Sequence, residues 1–177
     1  MTADEKIQRF VELLERWNRS INLTAASSRA EIAEHVADSR PVVALLRGCK
    51  RVLDVGAGGG FPSVIVAIEL PDVVLVALEP IHKKHAFLRT VARELALTNL
   101  DPRAERLDDH PARDYDAAMS RATFDLREWL DAGRSHVRPG GIVIGFEATR
   151  RDDLPPTIER HEYRVGDKLR ALVTLRA

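Results

Sequence analysis

A glycine-rich loop carries the most specific chemical pattern in this sequence. Residues 54–62 read DVGAGGGFP and follow the apolar run of residues 51–55, so a strand is expected to give way to a helix there. Glycines at such a junction allow a sharp turn and a close approach of the backbone to a ligand. The dinucleotide-binding fingerprint has a further glycine where this chain has Phe61, so the spacing departs from that fingerprint.

The spacing of Gly56, Gly58 and Gly60, with Asp54 two positions upstream, resembles the first motif of class I S-adenosylmethionine-dependent methyltransferases. That cofactor carries an amino-acid moiety and a sulfonium in place of a pyrophosphate. An acid beside the loop suits its ammonium group, so Asp54 is the candidate partner, directly or through water.

Glu79 ends the next apolar run, residues 73–78, and lies 23 residues after Gly56. A carboxylate at a strand tip accepts both hydroxyls of a ribose. Taken singly, the loop is also typical of a tight turn, and Glu79 of a solvated strand end. The strand before the loop, Pro62 at the helix start and Glu79 in register together favour a cofactor site.

The elements that must position these residues follow from the hydrophobic pattern. Three helices are predicted before residue 49: the first has an apolar stripe, the second begins at the capping box Ser28-x-x-Glu31, and the third follows Pro41 and ends at Gly48. The stripe of the first helix consists of Ile7, Phe10, Val11, Leu14, Trp17 and Ile21.

From residue 50 onward the pattern alternates between strands and helices. Strands are predicted at residues 51–55, 73–78, 100–104, 115–119 and 142–146, helices from Pro62, at 82–95 and around 124–130, a turn at 139–141 and a hairpin at 163–175. This order predicts an α/β, Rossmann-like fold with a mainly parallel, doubly wound sheet and an antiparallel edge hairpin. We expect one domain, residues 1–177, with a helical cap (1–48) on a cofactor-binding core (49–177).

Composition narrows the class of protein without identifying a partner. The 177 residues include 45% hydrophobic residues and balanced charges, 27 basic and 27 acidic, which is typical of a globular chain. Arginine supplies 22 of the basic residues, which suits phosphate recognition but equally follows from codon bias. No apolar run is long enough for a membrane span, the N-terminus lacks a secretory signal, and Cys49 is the only cysteine, so a cytoplasmic protein without membrane, metal or disulfide is expected.

Several short segments occur together in one order. In chain order they are Trp17-Asn18, residues 22–24, His35-x-x-Asp38-Ser39, residues 54–62, residues 87–89, Ala104-Glu105 and residues 120–122. Short motifs such as Ser120-Arg121-Ala122 are common by chance when taken singly, but the joint order and spacing of the segments are specific. They resemble the small-subunit ribosomal RNA guanine-N7 methyltransferase G family, formerly called glucose-inhibited division protein B, from about residue 10 to residue 146.

The resemblance implies a function and a set of site residues. It implies S-adenosylmethionine as cofactor and guanine N7 of 16S ribosomal RNA, in the small ribosomal subunit, as acceptor. By resemblance Gly56 and Phe61 contact the cofactor in the loop, Glu79 its ribose, and Ala104 with Glu105 its adenine. Arg121, after a predicted strand, is then the catalytic candidate facing cofactor and substrate; its alternative is a surface ion pair.

Two features depart from that family. Phe146-Glu147 replaces a Lys-Gly pair, which removes one basic anchor if the lysine contacts RNA. The N-terminal helical region is also shorter than usual, which trims a possible RNA-facing surface.

Guanine N7 has a lone pair and no proton to remove, so its methylation needs positioning and no general base. His82 and His85 flank Lys83-Lys84, and this group is either a basic patch for RNA phosphates or a solvated helix face. Trp17 is expected in the core, with base stacking as its alternative.

Two other functions remain open from the sequence. One is a methyltransferase for a small molecule or protein; the absence of an Asn-Pro-Pro-Tyr-like motif argues against exocyclic amines as acceptors. The other is a non-catalytic RNA-binding or ribosome-assembly factor, against which the intact glycine loop, Glu79 and Arg121 argue.

Overall fold

The computed structural model describes residues 1–26, 28–111 and 113–177. Its helices are α1 (Ala3–Asn18), α2 (Arg29–Ser39), α3 (Pro41–Leu46), α4 (Ser63–Glu69), α5 (His82–Glu94) and α6 (Leu126–Arg134). Its strands are β1 (Arg51–Val55), β2 (Val74–Leu78), β3 (Leu100–Arg103), β4 (Tyr115–Ser120), β5 (Val137–Glu147), β6 (Glu159–Val165) and β7 (Lys168–Arg176).

The seven strands form one sheet in the order β3-β2-β1-β4-β5-β7-β6. The first five strands are parallel, whereas β7 runs antiparallel to both β5 and β6. The chain moves from β1 outward to β3 and then returns to place β4 on the other side of β1. A ligand site is expected at such a reversal of strand order, outside the carboxyl ends of the strands. The predicted parallel sheet with an antiparallel edge hairpin is confirmed.

Alternate residues of the central strands enter two apolar clusters. Val52 of β1 packs in the larger cluster with α1 to α5, and the next residue, Leu53, packs in the smaller cluster with Trp129 of α6. Both faces of the sheet are therefore buried, which explains the continuous apolar runs in the sequence.

The cap is held on the core by aromatic packing. The ring of Phe10 in α1 lies 5.1 Å from that of Phe61 and 6.3 Å from that of Phe87. Trp17 packs against the same cluster, 5.6 Å from Phe87, as predicted for a core residue. Because Phe61 belongs to the glycine loop, α1 packs against that loop through the contact between Phe10 and Phe61.

Some predicted boundaries are wrong. The turn expected at residues 139–141 lies inside β5, which already pairs with β4 at Tyr115↔Val137 and shifts register before Ala117↔Ile142. Gly140, with a φ of 78°, accommodates this irregularity without ending the strand. The last helix starts at Leu126, because Asp125 accepts the backbone N–H groups of Arg127 and Glu128 as its N-cap.

No helix among the described residues has the length and apolar character needed to cross a bilayer.

Candidate active site

A cavity of about 730 Å³ opens at the carboxyl ends of β1, β2 and β4. This volume lies in the range of small-molecule sites. The glycine loop after β1, Glu79 after β2 and Arg121 after β4 all line it. The sheet thus brings together three groups that lie far apart in the sequence, because the ends of neighbouring parallel strands meet at one edge.

The glycine loop is shaped by backbone conformations that favour glycine. Gly56 and Gly58 have φ values of 75° and 54°. A Cβ at Gly56 would overlap the side chain of Thr123, so the loops after β1 and β4 meet closely only because residue 56 is a glycine. A Cβ at Gly58 would meet only the Gly56 carbonyl oxygen, at 3.7 Å, and Gly58 lines the cavity.

Glu79 is buried and ties the loop to β2. One carboxylate oxygen accepts the Gly58 N–H at 2.8 Å, and the other accepts the Ile81 N–H at 2.9 Å. A carboxylate has about four acceptor positions, so each oxygen keeps one for a ligand. The side chain is therefore both an anchor for the loop and an oriented acceptor at the cavity wall.

Asp54 lies beneath the loop, outside the cavity lining. Its carboxylate is buried and accepts the Ser63 hydroxyl of α4. Burial raises the pKa of Asp54 to about 6, against the lowering effects of Ser63 and Arg121. This placement makes Asp54 a link between β1 and α4, and its predicted role toward an ammonium group stays a prediction.

Arg121 projects into the cavity wall and is held on two sides. Its Nη1 lies 3.0 Å from an oxygen of the buried Asp38, and its guanidinium lies 5.5 Å from the centre of the Phe61 ring. The same Nη1 is 3.5 Å from His35 Nδ1. Burial, followed by the charge of Arg121, lowers the pKa of His35, so this imidazole is neutral at neutral pH. Arg121 is thus partly buried, with its ion pair at the cavity and not on the outer surface.

Ala104 and Glu105, predicted near an adenine, follow β3 and do not line the cavity. Ala104 is exposed, whereas Glu105 accepts His110 Nδ1–H at 2.7 Å. His110 Nε2 lies 2.7 Å from the Tyr115 hydroxyl. Glu105 therefore fixes the segment after β3 through His110, and its contact with the cofactor stays a prediction.

The basic patch predicted at the start of α5 is divided by the structure. Lys84 lines the cavity, and His85 Nε2 lies 3.2 Å from the Pro102 carbonyl oxygen. His82 and Lys83 are exposed. No group of three or more His, Cys, Asp or Glu side chains suited to a metal occurs in the part of the chain that the structure describes.

The cap contributes a wall whose lining residues were not among the predicted site residues. Leu23 and Thr24 line the cavity. Asn18 holds their segment, because its amide oxygen accepts the N–H groups of both residues and its NH₂ donates to the Thr24 and Ala26 carbonyls. The sequence pattern singled out three segments, which contain Asn18, residues 22–24 and His35-x-x-Asp38. It did not show that these segments lie close together in the fold.

The edge hairpin supplies a further part of the cavity wall. Tyr163 of β6 and Arg170 of β7 line the cavity and both contact Asp38. Their strands read as ordinary alternating hairpin residues, so no sequence signal distinguished them.

Glu147, one of the two departures from the family pattern, is buried at the end of β5 and lines the cavity. It forms an ion pair with Arg160 of β6, Nε to Oε2 at 2.9 Å, and accepts the Arg151 N–H at 2.9 Å. Residue 147 is therefore a carboxylate whose charge is paired with that of Arg160, and this ion pair joins β5 to the hairpin.

Comparisons with known proteins identify the family. A family model described as rRNA small subunit methyltransferase G matches residues 3–157. A ribosomal RNA small subunit methyltransferase G of Laribacter hongkongensis is 42% identical over 81% of this chain and 70% of its own length. One from Chromohalobacter salexigens is 35% identical over 99% of this chain and 88% of its own.

Solved structures agree on the fold. An O-methyltransferase from Bacillus cereus, in complex with SAH, has a TM-score of 0.64 at 16% identity, covering 94% of this chain and 89% of its own. A SAM-dependent methyltransferase from Aquifex aeolicus has a TM-score of 0.60 at 16% identity, over 79% and 90% of the two chains. Both confirm the predicted Rossmann-like methyltransferase fold. Because the family model matches residues 3–157 and relatives of this identity cover most of the chain, the chain belongs to the rRNA small subunit methyltransferase G family.

Proposed function

We propose that this protein transfers a methyl group from S-adenosylmethionine to N7 of a guanine in 16S ribosomal RNA, acting in the cytoplasm on the RNA or on the small subunit. The observation that carries the proposal is the single cavity in which the glycine loop, Glu79 and Arg121 meet, in a chain of this family. The cap and core, residues 1–48 and 49–177, act in this proposal as one methyltransferase domain.

The residues present fit S-adenosylmethionine. Gly58 leaves open space above the loop, and Glu79 presents oriented acceptors beside that space. Gly56, Gly58 and Phe61 would hold the cofactor along the loop, and Glu79 would accept its ribose hydroxyls. When bound, the cofactor supplies a methyl group activated by attachment to a positively charged sulfur.

The carboxylates that line the cavity suit a reaction that needs no proton removed. Asp38, Glu79 and Glu147 are the carboxylates that line it within the described chain. Asp38 and Glu147 form ion pairs with protein guanidiniums, whereas Glu79 accepts two backbone N–H groups and keeps its remaining acceptor positions for the ribose hydroxyls. Guanine N7 already has a lone pair in the ring plane, and its methylation requires alignment of the acceptor atom with the methyl group. The chain supplies that alignment through fixed groups.

Arg121 is the group best placed to contribute to transfer. Its guanidinium is always charged and offers donors in a rigid fork. Held at the cavity wall by Asp38 and Phe61, it would orient the cofactor or the guanine through O6, which leaves the N7 lone pair free to attack the methyl group. It would not accept a proton from the substrate, so its role is positional and electrostatic.

Three acceptors distinguish this proposal from the alternatives. The purified protein would be incubated with methyl-labelled S-adenosylmethionine and, separately, naked 16S RNA, small subunits and a metabolite extract. We expect label in RNA, from naked RNA or from subunits. Label confined to metabolites would contradict the RNA acceptor, and cofactor binding without transfer to any acceptor would favour an assembly factor.

Arg121→Ala is the matched variant in that assay. Asp38 keeps Arg170 and Tyr163 as partners when Arg121 is removed, so the melting temperature should stay within a few degrees. Transfer to RNA should fall about a hundredfold through misalignment. An unfolded variant, or one that transfers at the normal rate, would show that Arg121 is a structural residue.

A further inference from the structure

Asp38 is a buried carboxylate on which four elements converge. It lies near the end of α2 and is 3% exposed. One oxygen lies 3.0 Å from Arg121 Nη1 and 3.2 Å from Arg170 Nη1, and the other accepts the Tyr163 hydroxyl at 2.8 Å. The helical cap, the end of β4 and both strands of the edge hairpin thus meet at one side chain.

This cluster lies at the cavity wall, where Tyr163 also packs against the larger apolar cluster. Asp38, Arg121, Tyr163 and Arg170 all line the cavity. A buried carboxylate costs several kcal/mol unless charged or hydrogen-bonded partners compensate it, and here two guanidiniums do so. Burial, then the neighbouring Asp38, raises the pKa of Tyr163, so its hydroxyl stays protonated and donates. Every partner thus holds the carboxylate in one orientation.

The consequence for Arg121 is a guanidinium fixed from two directions. Asp38 holds its Nη1 from the cap side, while the Phe61 ring in the glycine loop lies against its face. The arginine emerges from the turn after β4, next to Ala122, which has a φ of 56°. The backbone alone leaves several rotatable bonds in the arginine side chain, so its end is placed by these two contacts.

We propose that Asp38 is a positioning residue for methyl transfer: it fixes the Arg121 guanidinium at the cavity wall, and Tyr163 in turn fixes Asp38. This inference rests on the proposed function of Arg121. Asp38 itself acts through the arginine and need not touch the cofactor or the guanine.

The attachment of the cap does not depend on Asp38 alone. Ile32 of α2 packs in the larger core cluster, and Glu34 forms an exposed ion pair with Lys168 of β7, 2.7 Å apart. The Glu34–Lys168 pair therefore joins the same helix and hairpin as the Asp38–Arg170 pair. Glu34→Gln removes a link between cap and hairpin without touching Arg121, which makes it the matched control.

A double-mutant cycle on RNA methylation tests whether Asp38 acts through Arg121. Asp38→Asn keeps the shape of the side chain but removes its charge, and we expect kcat to fall about tenfold or more because modest misplacement of a catalytic group is costly. The variant with both Asp38→Asn and Arg121→Ala should be no slower, within about twofold, than Arg121→Ala. Glu34→Gln should transfer at the normal rate. Losses that multiply in the double variant would overturn the proposal.

A readout without activity covers the case in which Asp38→Asn folds poorly or the proposed function fails. Solvent exchange of the Arg121 guanidinium protons would be followed by NMR, with Arg121→Ala used to assign the signals. Exchange should be slow in the wild type and in Glu34→Gln, and faster in Tyr163→Phe and Asp38→Asn. Equal exchange in wild type and Tyr163→Phe would overturn the proposal. A wild type that methylates no RNA contradicts the proposed function, and the exchange result still decides whether Asp38 fixes Arg121.

Discussion

At Gly58 the absence of a side chain lets the backbone form part of the cavity lining. Its φ of 54° and the space above it allow the backbone to line the cavity directly. Gly166 has nearly the same φ, 56°, but lies in the turn between β6 and β7 with nothing within 4 Å of its Cβ position. The two glycines therefore differ in surroundings while sharing the same backbone conformation.

We expect Gly58→Val to reduce the affinity for S-adenosylmethionine by about tenfold or more, which corresponds to about 1.4 kcal/mol. The valine side chain would occupy cavity space needed by the cofactor. Gly166→Val imposes similar backbone strain and should bind normally. Calorimetry on both folded variants checks this; unchanged affinity in Gly58→Val would show that the loop does not hold the cofactor.

A second prediction concerns the carboxylate of Glu79. If its carboxylate accepts ribose hydroxyls, Glu79→Ala should weaken cofactor binding by ~1.5–3 kcal/mol, roughly ten- to hundredfold. A deoxy analogue lacking the ribose hydroxyls should lose much less on the same substitution. Because Glu79 also holds the Gly58 N–H, equal losses for both ligands would mean that the carboxylate acts only by supporting the loop.

At the scale of elements, Asp54 joins β1 to α4 through Ser63. The pKa of about 6 in the folded protein exceeds the ordinary value of about 3.9 expected when unfolded. A raised pKa means that the folded state binds the proton more tightly, so this contribution to stability is present below about pH 4 and is lost as the pH rises through 6.

Asp54→Asn should remove the loss of stability that the ionisation of Asp54 causes as the pH rises. Relative to wild type, its free energy of unfolding should rise by about 3 kcal/mol between pH 4 and pH 7.5, from about two pH units at about 1.4 kcal/mol each. Urea unfolding at several pH values measures the difference. Asp153→Asn is the control: the Arg151 hydrogen bond holds the Asp153 pKa at about 2, so its difference from wild type should be nearly constant over this range. A flat difference for Asp54→Asn would contradict the raised pKa.

Local patterns predicted most elements because helix stripes and buried strands depend on neighbouring residues. The capping box at Ser28 and Glu31 forms as the sequence indicates. The sequence pattern did not predict that β5 continues through Pro139 and Gly140, because pairing with β4 outweighs the turn preference of those residues. Strand ends were predicted well enough to place the glycine loop, Glu79 and Arg121 at one edge.

The sequence pattern did not predict contacts between side chains that lie far apart along the chain. Asp38 and Tyr163 lie 125 residues apart, and Glu147 and Arg160 belong to different strands, β5 and β6. Such pairs depend on how the cap and hairpin pack on the core, since β5 is an interior strand and β7 separates it from β6. The family motif pointed to His35 and Asp38, but only the fold shows that Asp38 meets Arg121.

At the scale of the whole molecule, the cavity is built by all parts of the chain. The cap supplies Leu23 and Asp38, the core supplies the glycine loop, Glu79 and Arg121, and the hairpin supplies Tyr163 and Arg170. The overall charge is zero, so attraction to RNA has to come from local groups such as Lys84 in the cavity lining. Recognition of the acceptor therefore depends on the assembled surface around the cavity.

We propose that this surface positions N7 of a guanine in 16S RNA for methylation. The most direct measurement is mass mapping of modified guanines in ribosomal RNA from matched strains with the protein, without it, and with the Arg121→Ala variant. We expect one N7-methylguanine in 16S RNA that is present with the wild type and absent or strongly reduced in the other two strains. An unchanged modification map in the strain without the protein, or a lost methyl group at an atom other than guanine N7, would contradict it.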